Sequence, residues 1–308
     1  MVSDLLPIAP EAPLCSDFSR ELGVKPAGTG LSLDRVIVVE TPLPWPKPAL
    51  KHPRLQPGAQ ALAGSPVRSR LFAAEPWTEG ADVHVELFER RPTGFVRHRW
   101  TVADEHELTE LVGWIASTPL GQLDASADEV PPTLLVCTQG SHDECCGLHG
   151  ERLAAELEEK LGDVELRRVS HTGGHRFAPT LLALPGGRMW AYADVALAAR
   201  VARGAETEAD LRHHCRGWLG VPVGMAQVAE LAARIHRGTD WPRDPVLERG
   251  PECDGGGERW MVGLGEAATV VEVRPGRVVP TIACESPGGL PAKQATEYEW
   301  QVVEPAWS

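Results

Sequence analysis

The chain has 308 residues, 43% of them hydrophobic and 24% charged, with a formal net charge of −13. That is material for one large domain or two ordinary ones, and it excludes long disorder. An acidic surface repels phosphate backbones, which argues against a nucleic-acid partner and suits docking onto a basic protein.

Cysteines stand at 15, 137, 145, 146, 215, 253 and 284. Their odd number and scatter are not those of a secreted disulfide framework. The opening residues MVSDLLPIAPEAPLC have neither a basic start nor an unbroken apolar stretch, so no signal peptide is expected. Apolar runs such as Val36 to Val39 are too short to span a bilayer, so no membrane partner is expected. A cytoplasmic location follows, and in a reducing compartment clustered Cys and His point to metal or redox chemistry.

In chain order, RVIVVETPLPWPKPAL (35–50) starts as a buried strand and breaks at prolines. Segments 67–75, 83–91 and 95–102 read as strands, the last two joined through Pro92, Thr93 and Gly94 as a hairpin. HELTELVGWIAST (106–118) has helical spacing, and the polar stretch 124–133 is the expected domain boundary. TLLVCTQG (133–140) is a short strand ending at Cys137. A helix over 150–162 follows, with leucines at four-residue steps. The strand 164–170 ends at His171, and 180–194 is a hairpin turning on Pro-Gly-Gly. Helices are expected over 194–204 and 224–238, and strands return over 260–286. The fold class is thus α/β: an α+β domain over 1–129, then a thioredoxin-like order of strand, helix, strand, hairpin and helix over 130–245. A β segment over 246–308 completes one of the two. No internal repeat is visible.

Two motifs carry the chemistry. CTQGSHDECC (137–146) follows one strand and HTGGHRFAP (171–179) follows the next. In a βαβ unit the loops after parallel strands share one sheet edge, so these motifs should meet. Thiolate and imidazole are donors for zinc and for iron–sulfur centres. Two of each complete either a tetrahedral zinc ion or the terminal positions of a [2Fe–2S] cluster. The C-x8-C spacing is wider than the knuckles of ordinary zinc sites and fits a two-iron core better. Gly173 and Gly174 argue against a helix through H-x3-H and let the backbone pass close to a bulky core.

CTQGSHDECCGLHG followed by SHTGGHRFAPTLLALPGG resembles the sucrase/ferredoxin-like family, a branch of the thioredoxin-like ferredoxins. RVIVVETPLPWPKPAL, RGWLGVPVGMAQVAELAAR and the late CESP segment resemble it too. The resemblance implies a bis-histidinyl [2Fe–2S] cofactor held by Cys137, Cys146, His171 and His175. Cys146 is chosen over Cys145 because it keeps the x8 spacing. It also implies a cis peptide bond before Pro179. The sucrase part of the name implies glycoside hydrolysis, for which the sequence singles out no carboxylate pair.

The function expected is that of an electron carrier sooner than an enzyme, with any catalytic activity left open, serving a redox protein partner whose identity the sequence does not give. Histidine ligation raises the potential and couples electron uptake to proton uptake. Two alternatives use the same residues: a zinc-stabilised binding module without redox chemistry, and a thioredoxin-like thiol oxidoreductase working through Cys145 and Cys146. Asp143, Glu144 and Arg176 are candidate supports for the ligands. His142 reads as a loop residue, and Cys15, Cys215, Cys253 and Cys284 as ordinary thiols without partner spacing.

Overall fold

The computed structural model describes residues 5–6, 13–77, 80, 82–123, 130–238, 241, 244–263, 268–284 and 292–303. The core of the expected boundary, 124–129, and the end of the CESP segment lie outside them.

The chain opens with α1 (Cys15–Glu21), β1 (Arg35–Glu40), α2 (Gln56–Leu62), β2 (Ser69–Ala74), β3 (Val83–Arg91), β4 (Gly94–Val102) and α3 (Glu105–Ser117). It continues with β5 (Thr133–Cys137), α4 (Glu144–Lys160), β6 (Glu165–Val169), β7 (Leu181–Leu184), β8 (Arg188–Trp190), α5 (Val195–Ala202), α6 (Glu208–His214), β9 (Cys215–Trp218) and α7 (Met225–Arg237). β10 (Leu247–Cys253), β11 (Gly257–Val262), β12 (Thr269–Thr281) and β13 (Lys293–Val303) close it.

β1 through β9 form one mixed sheet in the order β4-β3-β1-β2-β6-β5-β7-β8-β9. This is a large α/β architecture of the expected class, and it carries an internal symmetry. In the first half β1 and β2 run parallel, β3 lies antiparallel to β1, and β4 pairs with β3. In the second half β5, β6, β7 and β8 repeat these relations in the same order. Each half is therefore a β-α-β unit, a hairpin and a helix. The repeat is one of strand order and direction with no matching residue pattern, which is why the sequence does not display it.

The halves join where β2 and β6 touch antiparallel at their last residues, Ala74 opposite Val169. Glu75 N–H donates to Arg168 O at 3.0 Å, and Ser170 N–H to Ala73 O at 2.8 Å. Tip-to-tip pairing brings the carboxyl ends of β1, β2, β5 and β6 to the middle of the sheet.

β1 is apolar from Val36 to Val39 because both its faces are buried. Ile37 and Val39 pack with Leu108, Val112 and Ile115 of α3. Val36 and Val38 face a second core shared with Leu135, Val169 and Leu182 of the other half. Leu134 and Val136 in β5 turn to α4 and α5. The C-terminal strands form an antiparallel sheet of their own, β10-β11-β12-β13. They join the second half through α7 instead of extending its sheet, with Val262, Val271 and Val273 against Val228, Ala229 and Ala232. No helix among the described residues is long and apolar enough to cross a membrane.

Candidate metal centre

β5 delivers Cys137 to the mid-sheet edge, and the chain turns through 138–143 into α4. The helix begins at Glu144, six residues before the leucine periodicity shows it, so Cys145 and Cys146 occupy its first turn. Consecutive helical positions differ by about 100° in direction. The two thiols therefore face different neighbours, Cys146 toward Cys137 and His171, Cys145 toward Cys15 and Asp143. Glycine lets α4 sit this close. A Cβ on Gly150 would lie 2.0 Å from Cys137 O, and one on Gly147 would lie 2.6 Å from Gly140 Cα.

β6 delivers His171, and the loop behind it is pinned from three sides. Arg70 Nη2 donates to His171 O at 3.0 Å, Arg216 Nη1 donates to Gly173 O at 2.8 Å, and His171 N–H donates to Gln139 Oε1 at 3.0 Å. Gln139 Nε2 donates in turn to Pro46 O at 2.7 Å, and Ser141 Oγ to Trp45 O at 2.7 Å. The loop after β1 thus braces the loops that carry the candidate ligands, and together with Arg70 of β2 this is how the first half supports the site. Gly174 takes φ +72°, and a Cβ there would lie 2.5 Å from Arg216 Nη2. A short turn over His175–Phe177 then leads to Pro179, preceded by a cis bond.

The four residues proposed from the sequence divide unequally. Donor atoms of Cys137, Cys146 and His171 lie within 4.8 Å of one another. His171 Nδ1 is 3.8 Å from each sulfur. His175 stands apart, its ring centroid 6.2 Å from that of His171. Its Nδ1 lies 2.9 Å from Asp143 Oδ2 and 2.9 Å from Cys15 Sγ. Both sulfurs are buried, and both imidazoles are partly open to solvent. His142 stacks on His171 with 3.7 Å between centroids.

The electrostatics follow from these contacts. Hydrogen bonding from Cys146 pulls the Cys137 thiol well below its ordinary value, against burial and with help from His171. Burial, then the neighbouring His171, lowers His142 to about 4, so it stays neutral. Burial opposes charge on His175 too, but hydrogen bonds to Asp143 and Cys145 outweigh it and lift the ring to about 9. Burial lowers Arg216, fully enclosed under the loop, to about 10.

A second group was not foreseen. Cys15 and Cys284, read from the sequence as ordinary thiols, converge with Cys145 and Asp143, again with donor atoms within 4.8 Å of one another. Of the supports named from the sequence, Asp143 contacts a candidate ligand, whereas the Arg176 guanidinium lies over the Phe177 ring at 4.6 Å. Gln139, Arg70 and Arg216 were missed. The one signal for Gln139 was its place between Cys137 and the helix.

Cys137, Cys146 and His171 form one group that could hold metal and Cys15, Asp143, Cys145 and Cys284 another, and thiolate with imidazole or carboxylate is a donor set for zinc or iron. Nothing among curated proteins and nothing among solved structures matches the chain. The family model described as sucrase/ferredoxin-like matches residues 26–203, more than half of the sequence, and the chain belongs to that family.

Proposed function

We propose that the chain binds one [2Fe–2S] cluster through Cys137, Cys146, His171 and His175 and passes single electrons to a protein partner. The observation that carries this reading is the spread of the donors. Three gather within 4.8 Å, while the fourth ring stands 6.2 Å from His171. A tetrahedral zinc ion holds every ligand about 2.0–2.3 Å from one centre, so four donors spread in this way suit a two-iron core better. The donor chemistry fits as well: the sulfurs are buried, and Asp143 occupies His175 Nδ1, leaving Nε2 for a metal.

When bound, such a cluster supplies one-electron exchange at a potential raised by its histidine ligands. The chain's own residues push the same way. Arg70 and Arg216 place positive charge behind the ligand loop, which favours the more negative, reduced state. His171 and His175 form the solvent-facing rim, where a ring proton can exchange with water and is held more tightly as nearby negative charge grows. Cys145 and Cys146 are adjacent in the first turn of α4 without the C-x-x-C spacing of thioredoxin-like sites, which speaks against their acting as a thiol-exchange pair.

Purified anaerobically, the protein should be red-brown, with iron and acid-labile sulfide in equal amounts, and Cys137→Ser or His171→Ala should abolish both. A colourless protein that binds only zinc overturns the reading. A potential that stays flat between about pH 6 and 9 removes the proton coupling.

A further inference from the structure

We propose that Cys15, Cys145, Cys284 and Asp143 form a second metal site, closed and structural, that holds one Zn²⁺ through three thiolates and a carboxylate. This inference does not rest on the reading of the first site, although Asp143 and Cys15 both reach His175 Nδ1 at 2.9 Å.

The ligands come from three distant segments. Cys15 opens α1, Cys145 lies in the first turn of α4, and Cys284 follows β12. Cys15 and Cys284 fall outside the span matched by the family model. Cys15 Sγ is 3.3 Å from Cys145 Sγ and 3.6 Å from Asp143 Oδ1, and Cys145 Sγ is 3.0 Å from the same oxygen. The backbone N–H of Cys15 donates to Cys284 Sγ at 3.2 Å. Cys15, Asp143 and Cys145 are buried and Cys284 is partly so, and none of the thiols is in a disulfide. Three soft sulfurs and one oxygen packed this tightly match the compact shell of a tetrahedral zinc ion and leave no open position for a substrate.

Asp143 supplies an independent sign. It is the N-cap residue of α4, where an aspartate ordinarily accepts from the first helical N–H groups. Here its side chain makes no cap hydrogen bond. Its oxygens are turned away instead, Oδ1 to the thiols and Oδ2 to His175 Nδ1. A helix cap has been given up for a ligand-like position.

The surroundings explain what an ion would do there. The local core consists largely of cysteines, with Phe18 as its one buried aromatic. α1 has seven residues, too few for a helix to hold itself. An ion bridging α1, α4 and the end of β12 would fasten both terminal regions to the helix that bears Cys146. Binding would displace the thiol protons to solvent, so the site should load more weakly in acid.

The test is metal analysis of the full chain expressed with both iron and zinc supplied. One zinc per chain is expected. Cys15→Ser and Cys284→Ser should each lower zinc at least fivefold, and Cys284→Ser should leave the iron content and visible spectrum within a factor of two. Cys137→Ser should do the reverse. Because the serine variants could unfold, zinc X-ray absorption on the unmodified protein provides a second measure. It should show three sulfurs at about 2.3 Å and one oxygen at about 2.0–2.2 Å. Absence of zinc, a two-sulfur, two-nitrogen shell, or zinc lost with Cys137→Ser and kept with Cys284→Ser would each overturn the site. Failure to find iron would count against the first site alone.

Discussion

Asp143 Oδ2 and His175 Nδ1 lie 2.9 Å apart, and this contact fixes which nitrogen of His175 is free. It also holds the ring's pKa at about 9, well above the ordinary value of 6.5. A histidine raised on folding adds stability in full below the unfolded pKa, and that share is lost as pH climbs through the folded one. The metal-free chain should therefore lose on the order of 1–3 kcal/mol between about pH 6 and 9.5, with the ring's partial exposure placing the value toward the lower end. Asp143→Asn should remove most of this slope. Urea titrations of both proteins at the two pH values check it, and equal slopes would show that the contact does not hold the proton.

Gly150 measures how closely α4 must approach β5. A Cβ at this position meets Cys137 O at 2.0 Å, a backbone atom that cannot swing aside. Gly150→Ala should cost about 1–3 kcal/mol or more and should lower metal content, because the helix carrying Cys146 must back away from Cys137. Gly113 in α3 is the control, with nothing within 4 Å of its Cβ position. Gly113→Ala should stabilise by about 0.5–1 kcal/mol with metal content unchanged. If both variants behave alike, the close approach is not what holds the site together.

The contrast between these helices shows what a sequence can reveal. α3 was legible because its apolar spacing and its cap coincide: Asp104 accepts from the N–H groups of His106 and Glu107 at the start of the periodic run. The start of α4 was hidden because residues 144–150 are cysteines, glycines and polar groups around an exposed Leu148, with no apolar spacing to mark a helix. Strands β1, β3 and β4 announced themselves by apolar runs and a Pro-Thr-Gly turn. Cys137 and His171 were found because parallel strands put their ends together. Cys15 and Cys284 were not, because their meeting depends on how α1 and β12 pack, which no local spacing records. The repeat of the two halves stayed hidden for a related reason. Only the second half carries Cys137, Cys146, His171 and His175, while the corresponding loop of the first, 41–48, braces its partner.

Asp210 is expected to report acid unfolding. Arg200 donates to it from Nε at 2.8 Å and Nη2 at 2.6 Å, and Thr207 closes a capping box over it. The Arg200 hydrogen bonds hold its carboxyl far below the usual carboxylate range. A depressed carboxylate adds stability above its unfolded pKa and loses it as pH falls toward the folded one. Asp210→Asn should cost about 1–2 kcal/mol near pH 7, allowing for the half-open guanidinium, and less near pH 2, because part of the carboxylate's contribution is lost as pH falls below its unfolded pKa. Thermal melts across that range decide it, since a penalty unchanged at acid pH would mean that charge is not the cause.

Arg188 and Glu230 tie β8 to α7, beneath the C-terminal sheet. They form a buried ion pair in which Arg188 Nη1 donates to Glu230 Oε2 at 3.0 Å and Nη2 to Oε1, with Trp241 Nε1 donating to Oε1 at 2.9 Å. The glutamate side chain is wholly enclosed and the arginine nearly so. Burial disfavours the arginine's charge, but the Glu230 carboxylate beside it outweighs that and raises its pKa. Removing one partner strands the other charge in a low-dielectric interior, so Glu230→Leu should cost about 3–5 kcal/mol. Removing both takes away the desolvation penalty together with the attraction, and Arg188→Met combined with Glu230→Leu should recover most of that loss. The recovery should be incomplete by about 1–3 kcal/mol, because the Trp241 indole N–H then lacks its acceptor. Denaturant unfolding of the two single variants and the double variant closes the cycle. A double variant as unstable as the sum of the singles would mean that the two charges act independently, contrary to the geometry that joins them.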